Sequence, residues 1–367
     1  MPGVPIRARD LGIHIGSMPP GPHNAITDVP GVQVGHCTLV DGSGPLRVGH
    51  GPVRTGVTVI QPRSGPVWTN PCFAGCHRLN GAGELTGLEW VRESGLLTSP
   101  IGLTNTHSVG VVRDALVKYI VWKQPLGAHH WVVPVVGETY DGLLNDTNGF
   151  HVRNEHVFQA LENAHAGAVD EGNVGGGTGM VCHGFKGGIG TASRIVEGRY
   201  VVGVVVQANY GRRERLRVDG VSVGERIPAT DIPLPAATAV SGRTDGSIIV
   251  VVATTAPLLP HQCDRVAQRA ALGIARVGGL AEHGSGDLIL SFSTGNEGLP
   301  PEPSQVVEPV AVTMLPNAQI NGLFQATVEA TEEAIVNALV AAETMIGRDG
   351  ITAHRLPHDR LREWFSG

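Results

Sequence analysis

The run Asp245-Gly246-Ser247-Ile248-Ile249-Val250-Val251-Val252-Ala253 sets a hydroxyl side chain, on a glycine hinge, at the mouth of a strongly apolar strand. A serine so placed can attack the carbonyl in front of it. The Ser247 hydroxyl would add to the Gly246 carbonyl, and an N-to-O shift would exchange the amide for an ester. Glycine on the acyl side helps, because it tolerates strained backbone angles and leaves the carbonyl open. Hydrolysis of that ester would free a new N-terminus at Ser247, whose α-amine has a reference pKa of about 7.7–8.0. Such an amine serves as a general base near neutral pH without any histidine. The same dipeptide also marks an ordinary turn into a strand, and the local pattern leaves both readings open.

Other groupings fit their motifs less well. Gly175-Gly-Gly-Thr-Gly179 invites a phosphate-loop reading, but no Gly-Lys-Ser/Thr follows it, and a sharp turn near the site is expected instead. His151-Val-Arg-Asn-Glu155-His156 approaches an inverted zinc-protease motif with a spacing one residue too long. Cys72-x3-Cys76-His77 lacks a second ligand pair at zinc-finger spacing. The 16 histidines are scattered, and the mechanism above needs none of them.

The elements that must hold Ser247 are strands. Thr55–Gln61, Trp131–Val136, Tyr200–Gln207, Ser247–Ala253 and Asp287–Phe292 are short and rich in β-branched residues, as buried strands are. Helices are expected over Asp114–Lys123, Glu155–Ala164, His261–Val277 and Asn317–Ile346. The third has Cys263, Val266, Ala270, Ile274 and Val277 on one face and ends at Gly278-Gly279. The fourth carries a stripe from Ile320 through Phe324, Val328, Ile335 and Leu339 to Ala342 and Ile346. Gly- or Pro-rich loops are expected at Pro19–Gly21, Gly172–Gly179 and Pro300–Pro303. Helices outside stacked strands in mixed order imply an α/β sandwich.

Composition narrows the class. In 367 residues, 41% apolar and 16% charged residues suit a compact enzyme rather than a disordered chain. The 51 glycines point to close-packed sheets and tight turns. A net charge of −6 without Lys/Arg runs argues against nucleic acid or anionic membranes as partners. No secretory signal or membrane span is evident, and five scattered cysteines do not form a disulfide framework, so a cytoplasmic protein is expected. No composition break divides residues 1–367 into independently folding domains.

Beyond these local signals the chain resembles the DmpA-type self-processing aminopeptidases, the group of L-aminopeptidase D-amidase/D-esterases and β-aminopeptidases. The likeness runs nearly end to end. It is carried by Asn24-Ala-Ile-Thr-Asp-Val-Pro-Gly-Val-Gln-Val-Gly-His36, Arg54-Thr-Gly-Val-Thr-Val-Ile60, Asn80-Gly-Ala-Gly-Glu-Leu-Thr-Gly87 and Glu138-Thr-Tyr-Asp-Gly-Leu-Leu-Asn-Asp146. Gly176-Gly-Thr-Gly-Met180, Phe185-Lys-Gly-Gly-Ile-Gly-Thr191, Gln207-Ala-Asn-Tyr-Gly211, the Ser247 block and Gly284-Ser-Gly-Asp-Leu288 complete it.

The resemblance implies an αββα sandwich like that of the N-terminal-nucleophile hydrolases, with different connectivity. It implies cleavage between Gly246 and Ser247 into chains 1–246 and 247–367 that stay one folding unit. Ser247 is then the nucleophile, Ser285 and Asp287 its partner hydroxyl and carboxylate, and Asn209 the oxyanion donor. Tyr140 matches a second donor found in part of the family, and Glu138 the carboxylate for the substrate's ammonium. Asp141 and Asp146 stand near enough to compete for that last role. The implied activity is release of N-terminal residues from short peptides, amides or esters, without metal or organic cofactor, by a homo-oligomer, commonly a tetramer. Two alternatives stay open: an acyltransferase on the same scaffold, against which a serine rather than a threonine counts, and an unprocessed, non-catalytic binding protein.

Overall fold

The computed structural model describes residues 6–123, 131–235, 246–301 and 308–365. Asp245, ahead of the Gly-Ser step, and Pro303 of the Pro-rich loop lie outside them. Two sheets dominate the architecture. One has the order β1 (Gln33–Asp41), β2 (Val53–Gln61), β5 (Ile101–Asn105), β6 (Val135–Thr139), with β5 and β6 parallel. The other runs β4 (Leu96–Leu97), β3 (Cys72–Gly81), β12 (Gly286–Ser293), β11 (Ser247–Thr254), β10 (Tyr200–Asn209), β9 (Gly188–Val196), with β11 and β12 parallel at its centre. A two-residue hairpin, β7 (Val181–Cys182) and β8 (Phe185–Lys186), and the pair β13 (Met345–Ile346) and β14 (Thr352–Ala353) stand apart.

The apolar pattern dictates the layers. In β11, Ile249, Val251 and Ala253 join one core cluster, while Ile248, Val250 and Val252 join another. A strand apolar on both faces must lie between two layers. The first cluster fills the space between the sheets, meeting Val34, Ile60, Ile101, Leu103 and Val135 of the four-stranded sheet. The second packs under two long helices, here α5 (Pro260–Arg276) and α6 (Asn321–Val340). The outer face of the four-stranded sheet is covered through Val57, Val59 and Val136 by α2 (Val109–Lys123) and α3 (Asn154–Glu162). Helices α1 (Leu88–Ser94), α4 (Val223–Arg226) and α7 (His358–Phe365) complete the set among the described residues. The order helix, sheet, sheet, helix is the expected αββα sandwich.

Two expected elements are corrected. The strand expected over Trp131–Val136 begins only at Val135 and runs to Thr139. Pro134 has no N–H to give to a ladder, so pairing starts after it. The helix expected over Asn317–Ile346 is helical only over Asn321–Val340; a 3-10 turn spans Asn317–Gln319, and Ile346 is an exposed strand residue. Asn173 ends the helix by clamping Glu343 through both its main-chain N–H and its carbonyl. Rather than one stripe, α6 buries every residue from Glu329 to Val340. Glu329 and Glu333 survive there by pairing with the fully buried Arg194, and Glu333 also takes the Arg9 guanidinium.

Candidate active site

Ser247 is the first residue of β11 and is buried. It stands directly opposite Asn209, the last residue of β10, and beside Gly286 at the start of β12. Directly opposed residues of an antiparallel pair project to the same face. The strand ends therefore bring Ser247 and Asn209 together.

The peptide between Gly246 and Ser247 is intact in this structure. The Gly286 N–H is shared between the Gly246 carbonyl, at 3.2 Å, and the Ser247 hydroxyl oxygen, at 3.3 Å. A Cβ at residue 246 would fall 2.1 Å from the Asn209 carbonyl oxygen and 2.6 Å from the Tyr210 Cα. Only glycine can bring its carbonyl so close to the β10 backbone.

The Asn209 amide is fixed at both ends. Its Oδ1 accepts from the Val181 N–H at 2.8 Å, and its Nδ2 donates to the Tyr140 carbonyl at 2.9 Å. The remaining Nδ2 hydrogen has no protein partner among the described residues. Val181 is itself held in place: Lys186, wholly buried, donates to the carbonyls of Met180 and Gly187 at 2.8 Å and of Gly177 at 3.3 Å. Burial lowers the Lys186 ammonium to about 7. Gly175–Gly177 forms a 3-10 turn beside this lysine, the sharp turn expected there. The Tyr140 side chain is half-exposed and lies over Gly142, where a Cβ would fall 2.3 Å from its hydroxyl. The Tyr140 carbonyl is the group that holds the Asn209 amide, and its ring lies over Gly142, another residue of the cavity wall.

Glu138 lies inside β6, beyond the end of the strand expected over Trp131–Val136, and is buried. The Glu84 N–H donates to its Oε1 at 3.0 Å, and the Thr106 hydroxyl to its Oε2. Burial pushes its carboxyl above the usual range, and these two bonds restrain the rise. Gly83 threads between Glu138 and the Ser247 neighbourhood: a Cβ there would meet Gly286 Cα at 2.9 Å and Glu138 Oε1 at 3.1 Å. Asp141 and Asp146 are committed elsewhere. Asp141 accepts from Asn145, and Asp146 from the Gly49 and Gly51 amides and from His151.

Ser285 donates to Asp287 at 2.6 Å, and the Ile248 N–H also bonds that carboxylate. Burial raises Asp287 to about 6. Among the described residues no hydrogen bond joins Ser285 to Ser247. Asn80 fastens this turn, donating through Nδ2 to the carbonyls of Ser285 and Glu282, both at 2.6 Å. Asn80, Gly83, Thr106, Val181 and Lys186 were not singled out from the sequence as site residues. All but Thr106 and Val181 sit in the shared motifs quoted above, which was the available signal.

Ser247, Asn209, Tyr140 and Glu138 all line one cavity of about 770 Å³, whose wall also includes Gly246, Thr106 and Arg348. Ser285 and Asp287, at the start of β12, do not line it. A buried serine opening a central strand of a two-sheet sandwich, facing an amide donor, is the construction of a serine hydrolase of the N-terminal-nucleophile type. The chain belongs to peptidase family S58, whose model matches residues 24–353, and it is an aminopeptidase. It is 50% identical over 366 residues to a β-peptidyl aminopeptidase of Sphingosinicella microcystinivorans, covering 97% of this chain and 91% of the relative. Among solved structures, a β-aminopeptidase of a Burkholderia species matches with TM-score 0.90 and 54% identity over 98% of each chain. The L-aminopeptidase D-Ala-esterase/amidase of Ochrobactrum anthropi matches with TM-score 0.89 and 42% identity over 97% of each chain; it is described as a variant of the Ntn hydrolase fold. The family expected from the sequence motifs is the family found.

Proposed function

We propose that the chain cuts itself between Gly246 and Ser247 and then releases N-terminal residues from short peptides, amino-acid amides or esters through an acyl-enzyme on Ser247. The observation that carries this reading is the shared Gly286 N–H, which polarises the Gly246 carbonyl while holding the Ser247 oxygen beside it. In the first step Oγ bonds to the Gly246 carbonyl carbon, the C–N bond breaks, and the Oγ proton passes to the departing nitrogen. Water then hydrolyses the ester, leaving the Gly246 carboxylate and a free Ser247 amine. In turnover that amine takes the Oγ proton as Oγ attacks the substrate carbonyl, and returns it to the leaving amine. Water completes the cycle. Asn209 stabilises the oxyanion, Tyr140 is the candidate second donor, and Ser285 and Asp287 hold the Ser247 amine.

Chains 1–246 and 247–367 would remain one unit, because β11 and β12 are flanked by β10 and β3 in a single sheet. The β-peptidyl and L-aminopeptidase names of the relatives support an N-terminal aminoacyl substrate with an α- or β-amine. We place the enzyme in the cytoplasm as a homo-oligomer; its five free, buried cysteines support a reducing compartment. No helix among the described residues is long and apolar enough to cross a membrane. Denaturing intact-mass spectrometry of the purified protein tests the self-cleavage: two fragments meeting at Gly246/Ser247 are expected, and a single chain would overturn it.

Glu138 is assigned to the substrate's ammonium. Glu138→Gln is expected to lower kcat/KM by about 10- to 30-fold, chiefly through KM, since one charge-assisted bond is lost. An aminoacyl anilide and its N-acetyl form make the comparison. If the variant loses as much on the acetylated compound as on the free amine, Glu138 does not read the ammonium.

The Asp287 carboxylate must be ionised to hold a positive amine, and burial raises its pKa to about 6 in the uncut chain. Below about pH 6 the rate should therefore depend on a second proton, beyond the one that titrates the Ser247 amine. In Asp287→Asn, log kcat/KM should fall with a slope near one where the wild type steepens. Glu138 titrates in both proteins, so the difference isolates Asp287; identical profiles would refute its role.

A further inference from the structure

The reaction cavity carries more positive charge than the mechanism uses. Arg212, Arg213 and Arg348 line it, against Glu138 and the exposed Glu214. Arg213 is consumed in binding main chain, donating to the carbonyls of His183, Gly184, Ile227 and Ile232. Arg212 shares the single carboxylate of Glu282 with Arg215, so two guanidinium groups face one anion. Arg348 is anchored through two of its three nitrogens, one of them in an ion pair with Asp349. Its Nε donates to the Gly142 carbonyl at 2.7 Å and its Nη1 to Asp349 at 2.7 Å, while Nη2 bonds no protein atom among the described residues.

That anchoring matters for geometry. Gly142 belongs to the turn after β6, four residues beyond Glu138, and the Arg348 N–H also bonds Leu144 of the same turn. The guanidinium is thereby fixed relative to the strand that presents the ammonium-binding carboxylate. A short peptide carries its carboxylate about 3.3–3.6 Å per residue from its amine. A planar fork with free N–H groups is the partner that a carboxylate prefers.

We infer that Arg348, supported by Arg212, forms a carboxylate subsite for the leaving group, so that the enzyme favours short peptides with a free C-terminal carboxylate over the same peptides amidated. This rests on the reading of Ser247 as the acylated residue and extends it to the leaving side. Glu138 holds one end of a zwitterionic peptide and Arg348 the other, with the scissile carbonyl between them at Ser247.

The experiment uses one dipeptide as free acid and as amide, with wild type, Arg348→Met and Arg348→Lys, each confirmed by mass to carry the same cleavage state. The wild type should favour the acid in kcat/KM. Arg348→Met should reduce the acid-to-amide ratio at least about fivefold, through KM for the acid, with partial recovery in Arg348→Lys. A wild type that does not distinguish the pair, or a variant that loses equally on both, would overturn the subsite and leave Arg348 as a fastener of the turn after β6. Calorimetric binding of the same pair reads the ratio without turnover. Absence of hydrolysis with the binding preference intact would count against the acyl-enzyme reading, not against the subsite.

Discussion

Ser247→Ala purified beside the wild type should remain one uncut chain of the full 38.4 kDa mass and release no N-terminal residue from any substrate the wild type accepts. The expected loss is at least about 10⁴-fold, because nucleophile and base vanish together. The substitution removes only Oγ from a buried site whose main-chain pairing to Asn209 and Gly286 does not depend on it. The fold should survive, and circular dichroism of the variant should match the wild type. A Ser247→Ala protein that is still cut at Gly246 would show that another group breaks the bond.

The same geometry explains why the residue before the serine is glycine. The Gly246 carbonyl reaches the Gly286 N–H only because its Cα can lie against the Asn209 backbone. It is this packing, more than freedom of φ and ψ, that the position demands. A permissive backbone favours glycine at this position, and the close Asn209 carbonyl adds a steric reason.

Much of the site was legible because its residues stand at strand ends within long motifs. Ser247, Asn209 and Asp287 fall at the tips of β11, β10 and β12, where an apolar alternation stops and polar residues begin. What the pattern hid were strands rich in glycine. β9 contains Gly188 and Gly190, which depress strand propensity. Yet a Cβ at Gly190 would strike the Ala334 carbonyl at 2.0 Å, so the glycine serves the approach of α6. β1 behaves alike: a Cβ at Gly35 would fall 2.0 Å from the Ala160 carbonyl oxygen of α3. These glycines express helix-on-sheet contact, which no local window contains. Glu138 falls outside the strand expected over Trp131–Val136 for a related reason, since Pro134 moves the start of β6 forward and draws the acid into the strand. The contacts made by Lys186 were beyond any pattern, because a lysine's stem and charge look the same on a surface as in a core.

Asn209→Ala is expected to lower kcat by about 10²–10³-fold, or ~2.7–4 kcal/mol of barrier, with a much smaller change in KM. The argument is one of preorganisation. The Val181 N–H fixes Oδ1 and the Tyr140 carbonyl takes one Nδ2 hydrogen, so the amide cannot flip, and its other hydrogen stays directed to the cavity that Ser247 lines. An oxyanion formed on the carbonyl attacked by Ser247 meets a donor that needs no reorientation. The ground-state carbonyl gains less, which is why the loss should appear in kcat. Self-cleavage passes through the same kind of oxyanion, but there the Gly286 N–H already bonds the Gly246 carbonyl. Maturation should therefore slow less than turnover, and fully cut Asn209→Ala enzyme should still be obtained after prolonged incubation. Active-site titration of that cut material, followed by separate measurement of kcat and KM, decides the matter. A loss confined to KM would show that Asn209 binds substrate without stabilising the transition state.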